Sequence, residues 1–380
     1  MLFFAGWWRA ALTGAGCLAL FTAAAQVPDT AVWTRFEKKA GGESTYGYRD
    51  ARGRVRLPAT FGTFTPAVRF RHIMAVQNAQ TGSLYYLLKS GRAVGRDSVY
   101  VSGDYEVACE SEGAIVFRDK KKDRVGFLDS YGRVLIPAVY NYVSPFHNGV
   151  AVALAGARRS CWEPNGDTLH CEHLGWAGGR QLLINQRNEV LAELPPGLPL
   201  ATLNWYSLRR NAPAPDTATT RTLTAANGDR LTFTDYEKEF KQWFFGQFVP
   251  AVRGNRAPDL AALCFGEVTT AGRPFRGWSK GSRAAFVAKF QAVLHGQLAA
   301  LRPDAPGLAV FDEPLGAFEC TGPACAPFWS DCGEHFKEKY PVFEVVLSYP
   351  AQPAKAPIDH QEHFAFIRTA SGYRLLSVAL

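Results

Sequence analysis

Past residue 25 the chain has no apolar run long enough to cross a bilayer as a helix, which takes about 20 residues, so no integral span is expected beyond the N-terminus. It also has no phosphate loop, no dinucleotide fingerprint and no His-Glu-x-x-His pair, and we expect no nucleophile elbow. These absences remove the common signatures of nucleotide, cofactor and zinc-hydrolase chemistry and move the reading toward a protein that binds. Nucleic-acid motifs are missing too, and the net charge of +8 is spread along the chain. The one basic run, Lys120-Lys121-Lys122-Asp123-Arg124, sits between two apolar stretches and reads as a solvated hairpin tip.

Disorder is not the default for most of the chain: 47% of it is apolar and 13% aromatic. The first 25 residues are apolar except for Arg9 and end in Ala23-Ala24-Ala25. They read as a signal peptide cleaved before Gln26. An uncleaved membrane anchor is the alternative, with Phe3, Phe4, Trp7 and Trp8 in its favour, and Cys17 is a poor lipoprotein site. The remaining 355 or so residues suffice for two domains with ample cores.

Val125 to Leu154 is the clearest unit. Phe127 and Leu128 run into a turn at Asp129, Gly132 supplies the positive φ of a tight reversal, and Val134 to Ile136 return as a strand closed by Pro137. Asn148-Gly149 reverses the chain again before Val150, Val152 and Leu154, giving a small meander. Three short strands cannot cover their own apolar face, so copies are expected. Asp50-Ala-Arg-Gly53-Arg-Val55 matches Asp129-Ser-Tyr-Gly132-Arg-Val134 closely, a copy around Gly91 has lost the Asp, and a fourth puts Asn185 and Asn188 at the Asp and Gly positions. Asn tolerates the left-handed conformation best after Gly, so that exchange is physically sensible. With Tyr46-Gly47, Val125-Gly126, Ile136-Pro137 and Phe146-His-Asn-Gly149-Val-Ala151, residues 33 to 193 resemble the bacterial WG repeat family. The resemblance implies an all-β domain over residues 30–195, a propeller-like or solenoid array of antiparallel meanders.

In an oxidising compartment some of the cysteines should pair. Cys161 and Cys171 flank an Asn165-Gly166 tip and are placed to face each other at a hairpin base. Two of Cys320, Cys325 and Cys332 are expected to bond, whereas Cys109 and Cys264 read as buried thiols. Cys320-x4-Cys325-x6-Cys332-x2-His335 has donors that suit zinc, and His170 and His173 lie near the first pair. The spacing matches no common zinc module, so no metal and no cofactor are assigned.

Pro195-Pro196-Gly197, Pro213, Pro215 and Thr217 to Thr220 predict a linker over 196–228. From 229 to 380 the periodicity becomes helical. Thr234-Asp-Tyr-Glu237 forms a capping box, Tyr236, Phe240, Trp243, Phe244 and Phe248 form an apolar stripe, Pro250 ends or kinks the helix, and Ser282 caps a second long helix. Strands follow at 308–318, 342–349, 363–368 and 373–380. That order predicts an α+β domain with helices packed on a curved antiparallel sheet. It resembles the nuclear-transport-factor-like or ketosteroid-isomerase-like cone. Such a cone implies a pocket, for which Glu344, His363 and Arg368 are the candidates, against a plainer reading as polar residues on the solvent face of a one-sided sheet. Asp359-His360-Gln-Glu362-His363 resembles a metal site only in composition. No residue is assigned a catalytic role. Two functions follow: an exported module that binds another protein or an envelope component, or an enzyme with a small-molecule pocket in the C-terminal domain. A cavity that gathers ionisable groups favours the enzyme; one filled by Phe and Trp favours the module.

Overall fold

The computed structural model describes residues 31–102, 106–161, 163, 171, 174–195, 203–213, 217–225, 227–272, 277–316, 318–349 and 360–380. The expected signal peptide, Cys17, His170, His173 and Asp359 lie outside them. The described chain is mostly β, in small antiparallel sheets.

The first sheet holds β1 (Trp33–Ala40), β2 (Glu43–Arg49), β3 (Val55–Phe61) and β4 (Arg69–Phe70), and the second β5 (Ile73–Gln77), β6 (Leu84–Leu88) and β7 (Ala93–Val94). The third holds β8 (Ala114–Asp119), β9 (Arg124–Asp129) and β10 (Val134–Tyr140). In the fourth, β11 (Tyr142–Val143) and β12 (Val150–Ala155) are followed by a separate hairpin, β13 (Arg158–Cys161) and β14 (Leu174–Ala177), before β15 (Arg180–Asn185) and β16 (Val190–Glu193) complete it. A fifth sheet comprises β17 (Arg209–Arg210), β18 (Thr220–Thr224) and β19 (Arg230–Thr234).

These sheets stack because successive strand residues point to opposite faces. Met74, Val76 and Leu87 of the second sheet meet Trp33, Tyr48 and Phe70 of the first. Ile73, Ala75 and Tyr86, on its other face, meet Ile115 and Leu128 of the third. Val116, Phe127 and Ile136 then meet Ala151, Ala153 and Ile184 of the fourth, whose Val150, Val152 and Leu183 meet Leu231 and Phe233 of the fifth. Burial on both faces explains why β5, β6 and β12 are nearly continuous apolar runs. It also corrects the 125–154 meander: β9 and β10 belong to the third sheet, whereas β12 belongs to the fourth.

One turn recurs in all five sheets. The fourth residue donates its N–H to the first carbonyl, and the first N–H bonds the fifth carbonyl, at Asp50 to Arg54, Leu88 to Arg92, Asp129 to Arg133, Asn185 to Glu189 and Ala225 to Asp229. The fourth residue is left-handed each time: φ is 77° at Gly53, 82° at Gly91, 73° at Gly132, 63° at Asn188 and 85° at Gly228. Asp50 Oδ1 accepts from Arg52 N and Arg54 N at 2.9 and 3.1 Å, and Asp129 Oδ1 accepts from Tyr131 N and Arg133 N at 2.9 Å each. In the fourth turn the donor and acceptor positions are exchanged and the backbone geometry is kept. Arg54 Nε donates to Asp50 Oδ2 and Arg133 Nε to Asp129 Oδ2, but Asn185 Nδ2 donates to Glu189 Oε2. The fifth turn lies inside the stretch expected to be a linker. There the described residues instead form the fifth sheet and a 3-10 turn at Trp205–Ser207, with Leu203 and Trp205 buried against Leu231 and Phe233.

The C-terminal half opens with α1 (Tyr236–Trp243), capped by Asp235, whose carboxylate accepts from Lys238 N; Thr234 closes β19, so the expected capping box is corrected by one residue. The helix does not stop at Pro250. A π-helical turn, Phe244–Phe248, leads into α2 (Val249–Gly254), and Pro250, which has no N–H to donate, stands immediately after that irregular turn. Then come α3 (Ala257–Ala262), β20 (Cys264–Ala271), β21 (Ser279–Ser282), α4 (Arg283–Leu298), β22 (Leu308–Glu313), β23 (Val342–Tyr349), β24 (His360–Thr369) and β25 (Gly372–Ala379). They form one six-stranded sheet in the order β21-β20-β25-β24-β23-β22, antiparallel except for the parallel β20–β25 pair. β20 and β21, ahead of α4, were not anticipated. The sheet is not one-sided. The helices cover one face, and Leu315, Cys320, Cys325 and Phe328 cover Val342, Ala365, Ile367 and Leu376 on the other.

That covering segment, 314–340, also straps the two halves together. Asp331 accepts from Arg69 Nε at 2.9 Å and from Arg71 Nε, while its carbonyl accepts from the Val68 and Arg69 amides. Cys332 is bonded to Cys109, and Phe336 lies against Tyr206 with ring centroids 5.1 Å apart.

Two outcomes follow from this packing. A Cβ at Gly126 would sit 2.3 Å from Ile136 O, and one at Gly47 2.7 Å from Leu57 O. Gly126→Ala and Gly47→Ala should therefore each lose about 1–3 kcal/mol in urea unfolding, as overpacking against backbone does; wild-type stability for both would contradict this close approach of the neighbouring strand. A protease site engineered after Ala212 should yield two fragments that stay joined on a non-reducing gel and separate once Cys109–Cys332 is reduced. Separation without reductant would contradict the strap.

Candidate functional site

Between the helices and the sheet there is little open space, because aromatic rings fill it. Phe240 stacks on Phe343 at 4.9 Å, Phe248 meets Phe366 edge-on at 4.8 Å, and Trp243 lies 5.4 Å from Tyr373. The helical spacing of Tyr236, Phe240 and Trp243 places these rings on one side of α1, and the π-helical turn keeps Phe244 and Phe248 on that side, stacked at 5.7 Å.

Polar groups lie at the two ends of this filled face. Even-numbered residues of β24 face the helices: Glu362 at one end, Phe364 and Phe366 in the middle, Arg368 at the other. Glu362 is buried and accepts from Tyr349 Oη at 2.9 Å; burial, then the carboxylate, pushes that phenol up to about 12. Six residues of strand put Arg368 about 20 Å away.

At that far end a cleft of about 510 Å³ is lined by Glu239, Gln242, Trp243, Gly246, Gln247, Arg368, Gly372 and Tyr373. Glu239 Oε2 accepts from Arg368 Nε at 3.1 Å and from Tyr373 Oη at 2.8 Å, and Tyr373 Oη also donates to the Tyr236 carbonyl at 3.0 Å. The Arg368 guanidinium lies 4.2 Å from the centroid of the Tyr236 ring. Burial works against its charge, but the neighbouring Tyr236 and Glu239 outweigh it and raise its pKa. Tyr373 is raised chiefly by burial, then by the Glu239 charge, so it stays a neutral donor.

The three pocket candidates are not brought together. Arg368 is in the cleft, whereas Glu344 and His363 are on the opposite sheet face, paired through His363 Nδ1 and Glu344 Oε1 at 3.1 Å. Glu239, Gln242, Gln247 and Tyr373 were missed; they interleave with the apolar stripe of α1 and with β25 and carry no motif of their own. One sequence pattern was also passed over. Gly277-Trp278-Ser279-Lys280-Gly281 has Gly-x-Ser-x-Gly spacing, yet Ser279 lies within β21, where its Oγ is 2.7 Å from Thr270 Oγ1. An elbow needs the serine on a sharp strand-to-helix turn, so this is none.

The cysteines form three pairs, with Cα separations of 5.7 Å for Cys161–Cys171, 5.5 Å for Cys320–Cys325 and 6.3 Å for Cys109–Cys332. The thiol expected at Cys109 is corrected: its partner lies 223 residues away, beyond any local signal. The cysteines of the zinc alternative are thus engaged elsewhere. His335 is occupied too, its Nδ1 accepting from Leu315 N at 3.1 Å and its Nε2 meeting Tyr340 O at 2.8 Å. Cys161, Glu163 and Cys171 are the one cluster of metal-ligand types among the described residues, and its two sulfurs are bonded to each other. Three disulfides, and no helix among the described residues long and apolar enough to cross a membrane, are compatible with an exported protein. A scan against protein-family models and a search of curated proteins find no match to this chain.

Cys264 is the free cysteine of the described chain, and burial pushes its thiol up to about 12. Unreduced protein should resist iodoacetamide at pH 8 when native and, once denatured, take it up at Cys264 within residues 31–380. Label on Cys109 or Cys332 would contradict the pairing.

Proposed function

We propose that this is an exported, non-catalytic binding module in which a WG-like array of β-units presents a surface to another protein or to an envelope component, joined to a cone-like α+β domain. The observation that carries the reading is the filling of the helix–sheet interior by Phe240, Trp243, Phe244, Phe248, Phe343 and Phe366. Acid–base or nucleophilic chemistry needs two or more reactive groups converging on one bound atom. Here the acidic groups on the helix face stand at opposite ends of β24 with two phenylalanines between them, and Glu239 is taken up by Arg368 and Tyr373. The array supplies the second support. Val55, Val134 and Val190, each two residues after its turn position, are 61%, 59% and 46% exposed. Apolar side chains kept in water at equivalent places suit a surface that a partner covers.

The test places a photo-crosslinking residue at Val134 in one variant and at Lys121, at the opposite end of β9, in another, each expressed with its native leader. Adducts formed in the envelope from Val134 and lost on Val55→Asp/Val190→Asp support the reading. Equal adducts from both positions, or substrate turnover abolished by Glu239→Ala, overturn it.

A further inference from the structure

Arg368 spends one of its five N–H donors within the fold. Its Nε donates to Glu239 Oε2, and among the described residues nothing accepts from its two Nη groups. The guanidinium is nevertheless held in place: Glu239 grips the Nε edge, Tyr373 Oη fixes the same Glu239 oxygen, and the Tyr236 ring supports its flat face. Its side chain is 27% exposed, and that exposure opens on the 510 Å³ cleft. A preorganised fork with its outer edge free matches the two oxygens of a carboxylate and loses little freedom on binding.

The walls narrow the class. Gln242 and Gln247 are exposed and line the cleft, and their side-chain amides make no hydrogen bond among the described residues, so each offers an amide donor and acceptor of the kind a peptide group pairs with. Trp243 and Tyr373 add apolar surface to the same cleft. The volume falls in the range of small-ligand sites, roughly 300–1,000 Å³, and far exceeds a single short acid. Among the described residues that line the cleft Glu239 is the one negative group, and its charge is offset by Arg368 and by the Tyr373 hydroxyl.

We infer that this cleft binds the free C-terminal carboxylate of a peptide, with Arg368 as the carboxylate fork and Gln242 and Gln247 as partners for the adjoining peptide groups. The inference deepens the binding reading above and rests on it.

Calorimetric titration of the whole mature protein with N-acetyl-tetra-alanine, its C-terminal amide and propionate tests this. The free acid should bind, and the amide should bind at least tenfold more weakly. Propionate should be weaker again, because it reaches only the fork. Arg368→Gln should abolish the preference for the free acid, and Arg368→Lys should keep part of it as a point charge without the fork. Gln247→Ala, outside the ion pair, covers the case in which an Arg368 variant fails to fold, and it should weaken the free acid without affecting propionate. Glu239→Gln, whose amide oxygen still accepts from Arg368 Nε, should tighten binding several-fold. Equal affinity for acid and amide, no binding of the acid at millimolar concentration, or propionate matching the peptide overturns the inference. Peptide recovered cleaved from the titration would sink the non-catalytic reading and leave the carboxylate site standing, so the two failures are distinguishable.

Discussion

Asp331 joins the two halves of the molecule from the middle of a segment with little regular structure. Its carboxylate takes two arginines of the first sheet and its short connection, its carbonyl takes two backbone amides there, and the next residue is bonded to Cys109. The same segment closes the open face of the C-terminal sheet through Leu315, Phe328 and the Cys320–Cys325 pair. A half-buried carboxylate between two guanidiniums depends on both for its charge to be tolerated. The disulfide limits how far the segment can depart in the unfolded chain, since it closes a loop of 223 residues. The fifth sheet provides the second connection: β19 ends at Thr234 and α1 begins at Tyr236, which leaves no slack between array and helix.

From that constraint the arrangement of the rest follows. Each of the five small sheets before α1 is too small to cover its own faces and is completed by its neighbours, so these sheets gain stability by stacking. The C-terminal sheet is likewise completed on both faces, by aromatic helices on one and by the strap on the other. Interior space is thereby consumed, and the polar groups that remain are moved to the rim, where Glu239, Arg368 and Tyr373 satisfy one another around an open cleft. A domain filled in this way has a surface to offer more readily than a chamber.

The sequence disclosed what local chemistry enforces. Positive φ is costly for anything but Gly or Asn, so four of the five turns stood out by residue type, and the Asp that ties each turn amide is visible where it is kept. The fifth was hidden because Ala225 replaces the Asp and the neighbouring prolines and threonines look like a linker. Cys161–Cys171 was legible through its Asn-Gly tip, and for Cys320, Cys325 and Cys332 only that two of the three bond; Cys109–Cys332 was not legible, because nothing local to either residue points to the other. The site divides in the same way. Arg368 was picked out as a polar residue on a strand, but its partners come from α1 and β25, and only the fold sets them beside it. Glu344 and His363, equally prominent in the sequence, fall on the other face because the strand places alternate residues on opposite sides.

Calorimetric unfolding tests most directly whether the strap makes one body of the two halves. The oxidised protein should melt in a single cooperative transition, and the Asp331→Ala/Cys332→Ser variant should resolve into two, one for the array and one for the C-terminal domain. Two transitions in the unaltered protein, or one transition unchanged in the variant, would contradict the account.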